Sequence, residues 1–239
     1  MSTREIHLLH DAAMLAQMIG LDAPCCSHVA MPSSGPAHAF AAFVESNPLS
    51  DGWLIDLEAP SSRLVTYSGT LGDELFGDEP RTWMRTGQER FIAFLDEVEP
   101  ALHHHRRTLC FRPHHRHVVG DVHAAVKLLR DRAGGPFEIL LSPADMLAPS
   151  MLETALDHAT RMFAHLGSVA AAVLLTDIEV SENTGETGLF RTCRLGEGLL
   201  TRTLGEGVLA RLLAEHVPPT TPVILLPGSV ESQRALIGL

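Results

Sequence analysis

The sequence predicts an α/β protein folded as a compact (β/α)8 barrel, and three observations predict it. Short apolar runs rich in β-branched or large aliphatic residues recur along the chain, and amphipathic helical patterns lie between them. Eight such runs fit within 239 residues, close to the roughly 250 residues usual for such a barrel. Apolar residues make up 45% of the chain and charged residues 20%. That is a globular composition, and it excludes a disordered, collagen-like or coiled-coil chain.

The candidate strands are Glu5–Leu9, Cys25–Val29, Trp53–Leu57, Leu64–Tyr67, Thr108–Phe111, Phe137–Leu141, Ala170–Leu175 and Val223–Leu226. The last three are nearly continuous apolar runs, the pattern of strands buried on both faces. Phe91, Phe94, Leu95, Val98 and Leu102 share one helical face, as do Val122, Ala125, Val126 and Leu129. A third face collects Leu152, Ala155, Leu156, Ala159, Phe163 and Leu166, with Ser150 and Glu153 spaced as a capping box ahead of it. Strand and helix in alternation require a parallel sheet with crossover helices. Val223–Leu226 then pairs with the N-terminal strand and closes the barrel. The first three units are contracted, because Leu64 already opens the fourth strand. An open doubly wound sheet is the alternative, but no GxGxxG or GxxxxGK[ST] follows any strand. No linker, repeat or low-complexity tract interrupts the chain, so one domain over residues 1–239 is expected.

The balance of 18 basic against 29 acidic residues leaves a net charge of −11. That sign opposes nucleic-acid binding, which needs cations to displace counterions from phosphates. No apolar run approaches the roughly 18 residues of a membrane span, and Met1–His10 lacks the features of a signal peptide. Of the four cysteines, Cys25 and Cys26 are adjacent, Cys110 lies in an apolar run and Cys193 in a polar segment. None forms a CxxC pair. The expectation is a cytoplasmic protein with reduced thiols, no nucleic-acid or membrane partner, and an oligomeric state the pattern does not specify.

From Val65 onward the order of segments resembles the xylose-isomerase-like TIM barrels, the superfamily of sugar-phosphate isomerases, keto-sugar epimerases and endonuclease IV. The matching pieces begin with Val65-Thr-Tyr-Ser-Gly69, Leu109-Cys-Phe-Arg-Pro113 and Glu138-Ile-Leu-Leu-Ser-Pro-Ala-Asp-Met-Leu147. They continue with His165-Leu-Gly-Ser168, Val173-Leu-Leu-Thr-Asp177, Leu195-Gly-Glu-Gly198 and Pro222-Val-Ile-Leu-Leu-Pro227. The resemblance implies an active face at the C-terminal strand ends. It also implies divalent metal held there by a glutamate, an aspartate, a histidine and a second glutamate. The four matching positions here read Arg112, Ser142, Leu174 and Pro227, and the histidine that often follows the aspartate by three residues is Asp145. A hard cation needs several oxygen or imidazole ligands, and an arginine among them repels it. The resemblance therefore implies the fold without the metal: no metal and no other cofactor is expected.

On the active face of such a barrel, Tyr67, Ser68, Arg112, His114, His115 and Ser142 converge, together with Asp145, Thr176, Asp177, Glu179 and Ser229. Ser181 to Gly198 forms a lid carrying Cys193, Arg194 and Glu197, with Gly185 and Gly188 among its glycines. His103-His104-His105 and His114-His115-Arg116-His117 lie at opposite ends of the strand Thr108–Phe111 and cannot share an ion. The first cluster reads as a solvated helix end. Arg112 serves either as a fork for a carboxylate, phosphate or enolate or as a bridge to Asp145 or Asp177. Tyr67 either polarises a carbonyl or simply hydrogen-bonds in the mouth. Arg191 and Arg194 flank Cys193, an arrangement that lowers a thiol pKa.

The catalytic candidates are thus His114, His115, Asp145 and Asp177, and the substrate-binding candidates Arg112, Tyr67, Ser142, Arg194 and Glu197. They point to a metal-independent isomerase, epimerase, cyclase or lyase acting on a small anionic or carbonyl-containing substrate. Two alternatives stand beside it. One is a non-catalytic barrel, a pseudoenzyme that binds a ligand or partner. The other is a metal-dependent sugar isomerase with ligands relocated to His114, Asp145, Asp177 and Glu197.

Overall fold

The computed structural model describes residues 4–20, 26–34, 38–55, 57–180 and 189–239. Strands β1 (Ile6–Asp11), β2 (His28–Pro32), β3 (Ala41–Val44), β4 (Arg63–Thr66) and β5 (Thr108–Phe111) are followed by β6 (Phe137–Leu141), β7 (Ala172–Leu174) and, late in the chain, β10 (Val223–Leu225). Together they form a closed eight-stranded α/β barrel of the TIM type, in the order β1-β10-β7-β6-β5-β4-β3-β2. As expected, β10 pairs with β1 in parallel, Leu225 opposite Leu8. A two-stranded hairpin of β8 (Asp177–Glu179) and β9 (Arg191–Cys193) interrupts the last crossover.

Two features of the first third depart from the expected alternation. β2 is antiparallel to both β1 and β3. The short helix α1 (Ala12–Ile19) starts directly after β1, with Asp11 Oδ1 accepting from Met14 N at 3.0 Å. Ala12 N donates to Ser27 O at 3.0 Å, so this excursion leaves and rejoins the same rim. The chain is thereby delivered to the top of β2 and must run downward. The third strand is Ala41–Val44, whereas Trp53–Leu57 forms no strand among its described residues. An alanine-rich run has weak β propensity by composition, so it does not stand out in the sequence. Trp53 instead meets Phe94 edge-on at 5.4 Å and donates from Nε1 to Ser46 Oγ at 2.7 Å, cementing the loop to the helix outside. Cys25 lies outside the described residues, and the second strand begins at His28.

Outside the sheet run α2 (Arg85–His105), α3 (Val122–Asp131), a single turn α4 (Pro143–Met146), α5 (Ala155–Leu166), α6 (Leu199–Leu204), α7 (Val208–His216) and α8 (Val230–Leu236). All five apolar residues assigned to the face of α2 are buried. On α3 the buried residues are Ala125 and Leu128, and Val126 is exposed. On α5 Leu156 is exposed, whereas Met162 joins the core. No capping box forms. Pro149, favoured in the first turn, opens a 3-10 turn over Pro149–Thr154, and α5 starts at Ala155 without a side-chain cap.

Alternate residues of each strand face the barrel interior, where Leu9, Ala30, Phe43, Val65, Cys110 and Leu140 meet. At the floor Arg63 Nε donates to Glu138 Oε2 at 2.7 Å. No helix among the described residues is long and apolar enough to cross a membrane.

Truncating Phe43 empties the interior beside β3. Phe43→Ala is expected to cost about 3–5 kcal/mol, whereas Leu54→Ala, at a side chain 86% exposed, should stay within about 0.5 kcal/mol. Urea denaturation of both variants checks which of the two segments builds the barrel.

Candidate active site at the barrel mouth

Two residues beyond the interior layer, the same alternation raises a second ring. Phe43 leads to Glu45, Val65 to Tyr67, Cys110 to Arg112, Leu140 to Ser142 and Leu174 to Thr176. Because β2 is inverted, it contributes its first residue, His28. Glu45, Tyr67, Arg112 and Thr176 line a cavity of about 390 Å³, joined by His114 and His115 from the loop after β5 and by Asp145 from α4. Leu9, Phe76, Leu147 and Ile178 supply apolar wall, and Leu189 and Phe190 before β9 and Thr192 within it join the lining.

Arg112 organises this ring. Its side chain is 6% exposed. Nε donates to Asp145 Oδ2 at 2.6 Å and Nη2 to Asp145 Oδ1 at 2.9 Å, a two-pronged pair. Nη1 lies 3.5 Å from Glu45 Oε1, and the guanidinium carbon stands 5.1 Å from the Tyr67 ring centre. Ser142 Oγ also donates to Asp145 Oδ2. Of the two bridges the sequence allowed, Arg112 thus makes the one to Asp145 and not the one to Asp177.

Asp177 points elsewhere. It is 0% exposed, and Oδ1 accepts from Ile178 N at 2.9 Å and Leu200 N at 2.7 Å. Oδ2 accepts from Gly196 N at 3.1 Å. These bonds satisfy amides at the start of α6 and tie β8 to it. Gly198 makes the approach possible, since a Cβ there would stand 2.3 Å from Ile178 O and 2.7 Å from Asp177 Oδ1. Ser68 is occupied too, its Oγ accepting from Val119 N at 2.7 Å.

Arg194 and Glu197 also stand apart from this cavity. They pair with each other, Nη1 to Oε1 at 3.2 Å, while Arg194 Nε donates to Pro227 O at 2.6 Å. Both line a neighbouring cleft of about 520 Å³ with His10, Asp11 and Glu179. Burial and the nearby Asp177, Glu179 and Glu197 push the Cys193 thiol up to about 11. This reverses the lowering expected from Arg191 and Arg194. Gly185 and Gly188 of the expected lid lie outside the described residues.

His114 and His117 are held neutral by geometry and burial together. Arg116 N donates to His114 Nδ1 at 3.1 Å, which leaves the ring proton on Nε2. Burial, then His117 and His115, hold the His114 pKa well below the usual imidazole value. His117 Nε2 donates to Leu75 O at 2.6 Å, and burial lowers its pKa to about 4. His115 donates from Nδ1 to Asp145 O at 3.2 Å, making Nε2 its basic atom. Burial raises the Tyr67 phenol, outweighing Arg112, so it stays a donor.

A divalent metal does not fit this set. The four positions where ligands were expected hold an ion-paired arginine, a serine, an interior leucine and a proline whose carbonyl is taken. Nor do the described residues bring three His, Cys, Asp or Glu side chains together to hold one. The relocated set of His114, Asp145, Asp177 and Glu197 is therefore not assembled. Glu45 and His28 are the mouth residues that sequence reading missed. Their signal lay in recognising Ala41–Val44 as a strand, which places Glu45 at a strand end.

No family model matches the sequence, and no curated protein matches it. Among solved structures the chain is similar to several proteins. One is the probable 3-DHS dehydratase AsbF of Bacillus anthracis, with a TM-score of 0.47 at 10% identity, covering 82% of this chain and 73% of that one. Another is the TTHB071 protein of Thermus thermophilus, with a TM-score of 0.47 at 15% identity over 100% and 98% of the two chains. A xylose isomerase-like TIM barrel protein of Mycobacterium smegmatis gives 0.44 at 9% identity, covering 76% of this chain. This chain spans 61% of the length of that last protein. These are likenesses of fold.

Arg112→Ala strands a buried carboxylate and is expected to cost roughly 3–5 kcal/mol. A loss below about 1 kcal/mol in chemical denaturation would show that the pair is not structural. The His117 pKa of about 4 lies below that of an exposed imidazole, near 6.5. The unfolded chain therefore takes the proton first, and stability falls as pH drops from about 6.5 towards 4, by roughly 3 kcal/mol from this group. Denaturation midpoints measured across that window should fall, and His117→Asn should flatten the decline.

Proposed function

We propose that the mouth is the active site of a metal-independent enzyme that moves a proton on a small carbonyl-containing or anionic substrate, an isomerase, epimerase, cyclase or lyase. One observation carries the reading. Tyr67 and His114 line a half-enclosed cavity as neutral donors, the phenol kept protonated by burial and the imidazole proton placed on Nε2. Such donors stabilise the oxygen on which charge develops when a proton is lost beside a carbonyl, and they do so most strongly where water is scarce. Arg112 sets the potential of the ring through its pair with Asp145.

A second reading is a non-catalytic barrel. It is favoured by the closed Arg112–Asp145–Ser142 network, in which the guanidinium is spent on the protein itself.

A thermal-shift and turnover screen against small hydroxy-ketones, keto acids and their phosphate esters, on protein treated with chelator, tests both. The expected result is binding and turnover that survive chelation, with Tyr67→Phe slowing turnover by about 10²–10³-fold. Binding without turnover of any member would favour the non-catalytic barrel. Activity restored only by added metal would overturn metal independence.

A further inference from the structure

His28 opens β2, and its register partner on β3 is Phe43. Glu45 lies two residues beyond Phe43 and so projects from the same face. The two side chains meet at the mouth, with His28 Nδ1 3.7 Å from Glu45 Oε1, and they are 31% and 35% exposed. Both line the main cavity. His28 Nδ1 is buried without a hydrogen-bond partner.

Among the described residues two carboxylates line this cavity, and they differ in what they have left to offer. Asp145 is held by the fork of Arg112 and by Ser142. Glu45 has one oxygen 3.5 Å from Arg112 Nη1, and its Oε2 takes no hydrogen bond among the described residues. A general base needs an uncommitted lone pair within reach of substrate, and Glu45 has one. The same tally bears on charge. Among the described lining residues Arg112 is the one arginine or lysine, and it faces two carboxylates. An anionic substrate would meet an excess of negative charge, and electrostatic complementarity disfavours it.

We propose that Glu45 and His28 are the proton-transferring pair of this mouth and that its substrate is an uncharged hydroxy-carbonyl compound; this rests on the catalytic reading above. Glu45 Oε2 takes the proton from the carbon beside the carbonyl. The C–H electron pair becomes the carbon–carbon double bond of an enediolate, and the carbonyl π pair moves onto oxygen, where Tyr67 and His114 donate hydrogen bonds. His28 takes the proton of the neighbouring hydroxyl and passes it to the new oxygen. Glu45 then returns its proton to the other carbon. The product is an isomer of the substrate, both side chains end as they began, and no co-reactant is consumed.

Deuterium wash-in followed by proton NMR in D2O tests the pair. The probes are hydroxyacetone, dihydroxyacetone, erythrulose, xylulose and fructose, beside the phosphate esters of the last four and hydroxypyruvate. Wild-type protein is expected to exchange the carbon-bound proton of at least one uncharged probe. Glu45→Gln, which keeps shape, should slow that exchange at least about 100-fold with affinity changed less than about threefold. His28→Gln should leave exchange within about tenfold while slowing isomer formation much further. Exchange that persists in Glu45→Gln overturns the pair and leaves the catalytic reading standing. Exchange confined to the charged probes overturns the uncharged substrate. Equal loss of exchange and isomer formation in His28→Gln overturns the role given to His28. Wild-type protein that neither binds nor exchanges any probe overturns the catalytic reading, and this inference with it.

Discussion

The mouth depends on the reversal of β2. A parallel barrel strand presents its last residue to the active face, whereas an antiparallel one presents its first. Inverting β2 brings His28 to the rim beside Glu45. The reversal follows from local chemistry. Asp11 caps a helix too short to cross the barrel, and the bond from Ala12 N to Ser27 O returns the chain to the rim it left. Only a downward strand can follow, and a hairpin into β3 restores the parallel sense for the rest of the barrel.

Within the ring thus closed, carboxylates that look alike in the sequence are given different work by what donates to them. Asp177 is consumed by backbone amides and organises the entry to α6. Asp145 is consumed by a guanidinium and a hydroxyl, and it fixes Arg112 in the plane that approaches Tyr67. Glu45 keeps an oxygen in hand. The histidines divide in the same way: His114 is a donor and His115 carries a basic nitrogen because different backbone groups select their tautomers. Residue type sets what chemistry is possible, and the hydrogen-bond partner decides which part of it is used.

Most of the architecture is legible because barrel strands buried on both faces leave an unmistakable apolar run, as in Thr108–Phe111 and Phe137–Leu141, whose limits match residue for residue. The closure of the barrel by Val223–Leu225 is legible for the same reason. The first third is not. Ala41–Val44 opens with two alanines, and small side chains blur a strand signal. Missing that strand hides Glu45, since a lone glutamate means little until it sits at a strand end. The positions of Tyr67, Arg112, Ser142 and Asp145 can be read from the ends of recognisable strands. The separation of Arg112 from Asp177 cannot, because it is set by amides of residues 19 to 24 positions further along.

The barrel carries an ion pair at each end of its axis, Arg63 with Glu138 at the floor and Arg112 with Asp145 at the mouth. Between them lies a column of apolar side chains that includes Val65, Cys110 and Leu140. Among the described residues the pairs at the two ends share no hydrogen-bond partner. Mutations so separated combine nearly additively. The floor is therefore the place where this scaffold can absorb stabilising changes, or their loss, while the chemistry of the mouth is altered independently.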